Sequence, residues 1–387
     1  MSVLGLPPTE AAAAPTHLER VPCNLCGSWD AALLYPGTVD LDPAVLDPQQ
    51  VFACTSSHYG RYGPVVRCRQ CGLVYLNPRL TADAVEAAYE EVADTRYLEE
   101  REGRVHTFGR ALAELERVRR DLPRSPTHAR LAVNGSAANP FADANGAAAV
   151  SPTATSADTA VPSAATNGAT RNGAHAAGPV RLLDVGCHIG VFLELATARG
   201  WRARGVEPSR WASDVARDRG LHVTCGTLRG SALPSSAFDV VTMWDVIEHF
   251  PDPAAELREV HRLLRPGGLV GITTMNVDSL IARLLGRRWP WLMQMHLYYF
   301  SERTLRALLE RCGFRVIGVT PHRRIVRLTY LLSRTERWSP ALAAALQRGA
   351  QRVGLADCLV PIDLGDIFTL YAQRVEAPNG YHHGPTA

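Results

Sequence analysis

The sequence predicts an α/β protein: a parallel sheet with helices on both faces, preceded by a small module built on two cysteine pairs. Three observations predict it. From residue 180 onward, short runs rich in Val, Leu and Ile alternate with helical runs, the pattern of a doubly wound sheet. The first strand of that series runs into a glycine-bearing turn, Gly186-Cys187-His188-Ile189-Gly190, and then a helix. Upstream, Cys23-x-x-Cys26-Gly27 and Cys68-x-x-Cys71-Gly72 repeat one knuckle twice.

The 387 residues, 46% hydrophobic and 20% charged, are enough for about two domains with a real core. The charge balance, 41 basic against 38 acidic side chains, argues against a dedicated nucleic-acid surface. No apolar run reaches about 18 residues, so no membrane span is expected. The Ala run near the start has no basic stretch ahead of it, so no signal peptide is expected. These readings place the chain in the cytoplasm, where paired CxxC units in a chain this long more often bind metal than form disulfides.

Residues 1–20 are Ala/Pro-rich and read as a flexible N-terminus, and 21–80 form the cysteine module. Residues 81–123 read as a helical connector: Thr81 or Asp83 can cap it, and Ala111, Leu112, Leu115 and Val118 recur at helical spacing. Residues 124–179 are almost all Ala, Ser, Thr, Asn, Gly and Pro, which cannot bury enough apolar surface to offset backbone entropy, and they read as a disordered insert. The folded pattern resumes over 180–376. Strands are expected at 181–185, 203–206, 221–224, 238–243, 269–273, 314–319 and 366–375. Helices are expected at 191–199, 211–219, 254–264 and 302–311. An Arg-interleaved helical insertion is expected near 324–359, and 377–387 read as a flexible tail.

In an open α/β sheet the ligand sits beyond the carboxyl ends of the strands, near the point where strand order reverses. Asp184 ends the first strand, and the small residues after it let backbone approach a ligand. Glu207 ends the second strand, where a carboxylate can take both hydroxyls of a ribose. The turn is not G-x-G-x-x-G, so a pyrophosphate is disfavoured. His249 follows the fourth strand and His296 the fifth; either can serve as a general base.

Asp184-x-Gly186-x-x-x-Gly190, an acid after the next strand, Asp239 to His249, and Leu264-Arg265-Pro266-Gly267-Gly268 together resemble class I S-adenosylmethionine-dependent methyltransferases. The resemblance implies the seven-stranded, Rossmann-like methyltransferase sheet. It implies that Asp184, Gly186 and Gly190 cradle the methionine part of the cofactor, Glu207 holds the ribose, Gly226 to Leu228 lie near the adenine, and Asp245 lines the site. His188 stands where the family usually has glycine. The same stretch is similar to ubiquinone-biosynthesis O-methyltransferases, which implies methylation of a hydroxyl on a small or lipid-linked acceptor, with His249 as the first choice of base and His296 the second. Asp245, Glu248, His249 and His296 also resemble the metal-binding set of small-RNA 2′-O-methyltransferases, implying a possible divalent ion there. The alternatives are a C-methyltransferase acting on a sugar or polyketide-like acceptor, and a non-catalytic binding protein with a degenerate cofactor site.

Cys23, Cys26, Cys68 and Cys71 read as the four thiolates of a closed, structural zinc site, and the chain resembles the many bacterial methyltransferases that carry such a ribbon just before the same core. In 279–291, Leu280, Ile281, Leu284 and Leu285 form an apolar stripe with Arg283, Arg287 and Arg288 off it, followed by Trp289-Pro290-Trp291. The segment reads as an active-site cover, with peripheral membrane contact as the other reading.

Overall fold

The structure, a computed structural model, describes residues 17–39, 47–56, 59–122, 178–337 and 339–375. The insert expected over 124–179 lies outside the described residues except for its last two, as do the tail and most of the N-terminus.

In the N-terminal part, β1 (Leu18–Glu19) pairs with β5 (Arg79–Leu80). Between them β2 (Ala31–Tyr35), β3 (Val65–Cys68) and β4 (Val74–Leu76) form an antiparallel meander, with a short helix α1 (Pro48–Val51) in the arm that joins β2 to β3. The connector is three helices, α2 (Ala82–Glu91), α3 (Arg96–Glu99) and α4 (Arg101–Asp121). Thr81 occupies the N-cap position of α2, although its side chain makes no cap bond. Ala111, Leu112 and Leu115 are the buried face of α4, packed on Leu182, Phe192 and Trp244, as their spacing predicts.

The main body follows in alternation: β6 (Arg181–Val185), α5 (Val191–Ala198), β7 (Arg202–Glu207), α6 (Arg210–Asp218), β8 (Val223–Cys225), β9 (Phe238–Trp244), α7 (Pro253–Leu263) and β10 (Leu264–Met275). Then come α8 (Leu280–Leu285), β11 (Tyr298–Tyr299), α9 (Glu302–Arg311), β12 (Phe314–Pro321), β13 (Arg324–Arg327), α10 (Leu328–Ser333), α11 (Pro340–Arg352), β14 (Leu359–Ile362) and β15 (Ile367–Arg374). The sheet order is β12-β15-β10-β9-β6-β7-β8, with β15 antiparallel to both neighbours and the remaining pairs parallel. All of β9 is buried, as a central strand covered on both faces must be. Local chemistry fixes the helix starts: Ser209 and Asp252 each accept an amide from the first turn of α6 and α7, and Ser301 with Thr304 closes a capping box on α9.

The chain runs outward from β6 through β7 to β8, then returns to place β9 and β10 on the other side of β6. The reversal lies between β6 and β9, so the crevice for a ligand opens at the carboxyl ends of those strands.

Two features depart from the sequence expectation. The stretch expected to be helical over 324–359 is α10 and α11 enclosed by an antiparallel β ribbon, with β13 pairing with β14 from Arg324↔Ile362 to Arg327↔Leu359. The β-branched Ile325 and Val326 favour the strand over the helix that the Arg spacing suggests. The cysteine module also does not end at residue 80. Its sheet has the order β11-β4-β3-β2, so the edge strand comes from the body, with Tyr298 opposite Tyr75. Arg79 strengthens the join by donating to the Tyr298 hydroxyl (2.9 Å) and the Pro251 carbonyl (2.8 Å). Among the described residues, no helix is long and apolar enough to cross a membrane.

Candidate active site

The glycine turn leaves β6 with Gly186 at φ 66° and Gly190 at φ 79°, both left-handed. A Cβ on Gly186 would meet the branched Val246 side chain at 2.7 Å, so this position needs glycine for space as well as for φ, while at Gly190 the left-handed φ is the requirement. Asp184 is buried at the end of β6 and accepts from the Thr242 hydroxyl at 2.6 Å. Burial pushes its carboxyl up to about 8.

Glu207 ends β7 opposite this turn. One oxygen accepts the His188 amide and the other the Ser209 amide, each at 2.9 Å. Burial still raises it to about 7, because two amide bonds do not replace full hydration. Gly226, after β8, donates its amide to the Glu207 carbonyl at 2.9 Å, and Leu228 is buried beside it. Glu207 therefore ties the turns that follow β6, β7 and β8 to one another, through its carboxylate and its carbonyl.

His188 keeps the left-handed backbone (φ 49°) that glycine would adopt there. Its ring is buried and stacks face to face on Tyr97 of α3, centroids 3.6 Å apart, with Trp211 edge-on at 6.0 Å. The Arg104 guanidinium lies 3.6 Å over the other side of the Tyr97 ring. Burial first, and Arg104 second, hold the imidazole well below its ordinary range, so it is neutral. Tyr97 and Arg104 were not singled out by sequence: they sit on the connector, and nothing local marks a contact that closes across some ninety residues of chain.

Asp245 follows β9 at φ 57° and binds Arg324 of β13, 2.6 Å away. Its other oxygen and Nδ1 of His188 are buried without a hydrogen-bond partner. An orphaned carboxylate oxygen, an unpartnered imidazole nitrogen and the glycine turn fit a ligand that carries several N–H and O–H groups, as S-adenosylmethionine does.

A second cluster lies just beyond. Glu248, His249 and His296 bring one ligating atom each to within 4.8 Å of one another. Asp245, expected to join them, is turned to Arg324 instead. His249 Nδ1 lies 3.0 Å from the Met295 carbonyl, which can only accept, so Nδ1 carries the proton and Nε2 is left with its lone pair. The Tyr89 hydroxyl shares the same nitrogen at 2.8 Å. His296 Nδ1 likewise donates to the Trp291 carbonyl at 2.8 Å. Glu248 accepts from the Thr274 hydroxyl at 2.9 Å, while its Oε1 has no hydrogen bond and stands 3.9 Å from His249 Nε2. Burial raises Glu248 to about 8 and lowers His249 to about 4; it also drives His296 well below its usual range. Burial thus favours the uncharged form of all three.

The four module cysteines converge as the sequence predicts, all four sulfurs within 4.8 Å of one another. Cys23 contacts Cys71 at 3.3 Å and Cys26 contacts Cys68 at 3.5 Å. Gly27 and Gly72, at φ 77° and 81°, let each knuckle fold back so that its amide reaches the carbonyl of the first cysteine. Four converging thiols from two knuckles fit a tetrahedral zinc ion.

The cover segment packs differently from an interfacial helix. Trp289 is buried, and Trp289 and Trp291 both donate to one oxygen of Asp366, at 3.1 and 2.8 Å. The tryptophans are therefore bound into the body and not offered to a surface. Leu280 and Leu284 remain 73% exposed beside the exposed Arg283, Arg287 and Arg288.

Residues 149–319 match the model of a methyltransferase domain. A ubiquinone biosynthesis O-methyltransferase of Pseudomonas aeruginosa (strain UCBPP-PA14) is 34% identical over 103 residues, 25% of this chain and 44% of that protein. One from Alkalilimnicola ehrlichii is 37% identical over 120 residues, 28% of this chain and 48% of that protein. The chain thus spans about half the length, or less, of these curated relatives. Among solved structures, a SAM-dependent methyltransferase from Thermotoga maritima, described as a possible histamine N-methyltransferase, matches 51% of this chain and 84% of its own, at 21% identity and a TM-score of 0.36. Residues 149–319 are thus similar to a methyltransferase domain, and the four-cysteine module lies ahead of them in the chain.

Proposed function

We propose that the chain binds S-adenosylmethionine in the crevice between β6 and β9 and methylates a hydroxyl of a small or lipid-linked metabolite, with His249 as general base. Bound there, the cofactor supplies a methyl group on an electrophilic sulfonium. The chain's own residues do the rest. Gly186 and Gly190 give the backbone clearance, Glu207 has lone pairs left for ribose hydroxyls, and Asp245 offers its unpaired oxygen. His249 holds an uncharged Nε2 that can take the acceptor's proton, oriented by Met295 and Tyr89 at Nδ1. That free, oriented nitrogen at the carboxyl end of β9 is the observation that carries the reading. His296, with its own Nε2 free, is the alternative base.

His249→Ala is expected to lower turnover by about 10²–10⁴-fold while leaving cofactor binding unchanged. Wild-type turnover in this variant assigns the proton to another group. The acceptor is found by mass spectrometry of extracts incubated with isotopically labelled methyl donor. If calorimetry on the folded, zinc-loaded chain detects no S-adenosylmethionine binding at millimolar concentration, the enzyme reading is replaced by a non-catalytic binding protein. The exposed Leu280 and Leu284 beside three arginines support a lipid-linked acceptor, and co-sedimentation with anionic vesicles tests that contact. The orphaned Glu248 Oε1 beside two free imidazole nitrogens supports a second reading, a divalent ion that acidifies the acceptor. Metal analysis showing one ion per chain, lost on Cys68→Ser, excludes it.

A further inference from the structure

A cavity of about 220 Å³ lies between the β2–β4 face of the cysteine module and the cover helix α8. Its lining is mixed: Leu34 and Val74 on the module side and Ala282, Trp289 and Leu292 on the α8 side supply apolar wall, beside polar groups. It is not the histidine cluster. Trp289 closes the cavity, and the Tyr299 ring, 6.4 Å from Trp289 and 6.3 Å from His296, stands behind it.

Arg67 lines this cavity from the middle of β3. It is half-buried, and among the described residues its side chain makes no ion pair or hydrogen bond. A guanidinium has five donors and no acceptor, so partly desolvating one beside apolar walls without a partner is unfavourable. Tyr35 lines the same space and its hydroxyl is also without a partner there. Arg283 adds a second cation at the rim, 4.0 Å from Asp278. The chemistry asks for a ligand with one negative head and an apolar body. Asp278, also in the lining, opposes a second negative charge, which favours a carboxylate over a phosphate dianion. The volume suits a ligand below drug size.

We infer that this cavity is a binding site for a small organic monoanion, a carboxylate with a short apolar tail, held by Arg67 and Tyr35. The inference does not draw on the methyl-transfer reading and stands if that reading fails.

Calorimetric titration of the zinc-loaded full chain, without methyl donor, tests it. Hexanoate is expected to bind saturably, and hexanol and hexylammonium at least tenfold more weakly. Arg67→Gln is expected to weaken hexanoate about tenfold or more, as loss of a charge-assisted bond does. Because Arg67 adjoins Cys68, zinc content is measured on that variant. Ala282→Met, on the opposite wall and away from the module, is expected to abolish binding by filling the space. Equal binding of hexanoate and hexanol overturns the inference. So does undiminished hexanoate binding in Ala282→Met, or in an Arg67→Gln protein that keeps its zinc.

Discussion

Glu207 shows how one side chain can be both finished and waiting. Its oxygens are tied to two amides, which fixes its direction, yet each keeps capacity for a further donor. Glu207→Ala is expected to weaken S-adenosylmethionine binding by about 1–3 kcal/mol, read by calorimetry; an unchanged dissociation constant removes it from the site. Asp184 gives a pH test. Burial raises its carboxyl to about 8 from an ordinary 3.8, so the folded chain holds a proton that the unfolded chain has lost. Raising the pH between those values therefore costs stability. Asp184→Asn cannot ionise, so its stability relative to the parent is expected to rise steadily from pH 5 to 8 in urea titrations. A flat difference means that Asp184 is not so shifted. Both acids were legible in the sequence because they end strands next to a glycine turn. The partners of His188 were not: stacking on Tyr97 and Arg104 is a tertiary event with no local period to reveal it.

At the level of elements, the strands and helices of the body were readable almost to the residue, since each needs a buried face and writes it into its own apolar period. Strand 181–185 and helix 302–311 come out as the sequence predicts. What could not be read is pairing between distant short segments. Two residues, Tyr298 and Tyr299, are too few to show any period, yet they complete the sheet of a module more than two hundred residues away. The β13–β14 ribbon was missed for the same reason: four-residue strands beside helices are decided by partners, not by propensity. The convergence of the four cysteines was legible because each CxxC-Gly knuckle fixes its own pair of sulfurs locally. Metal analysis is expected to find one zinc per chain, and Cys68→Ser to lose it; a variant retaining full zinc refutes the assignment. On α8, Leu284→Ala removes a side chain that is 73% exposed, so its stability is expected to stay within about 0.5 kcal/mol of the parent. A larger loss in thermal melts means that the leucine is covered.

On the scale of the whole molecule, module and body are joined by contacts between segments far apart in the chain. The shared edge strand, the bonds of Arg79 to Tyr298 and Pro251, and the bond from Asn24 to Asp252 at the cap of α7 tie them at several points. Chelating the metal is therefore expected to lower a single thermal transition, seen alike by near-UV and far-UV circular dichroism; two separated transitions would show that the parts melt independently. The join also falls at a telling place in the chain. His296 lies two residues before the strand that closes the module's sheet, and Leu297 bonds both to Leu76 and to Glu248. One short segment therefore carries both the edge strand of the module's sheet and a member of the histidine cluster, so a disturbance of the four-cysteine module has a direct covalent route to His296.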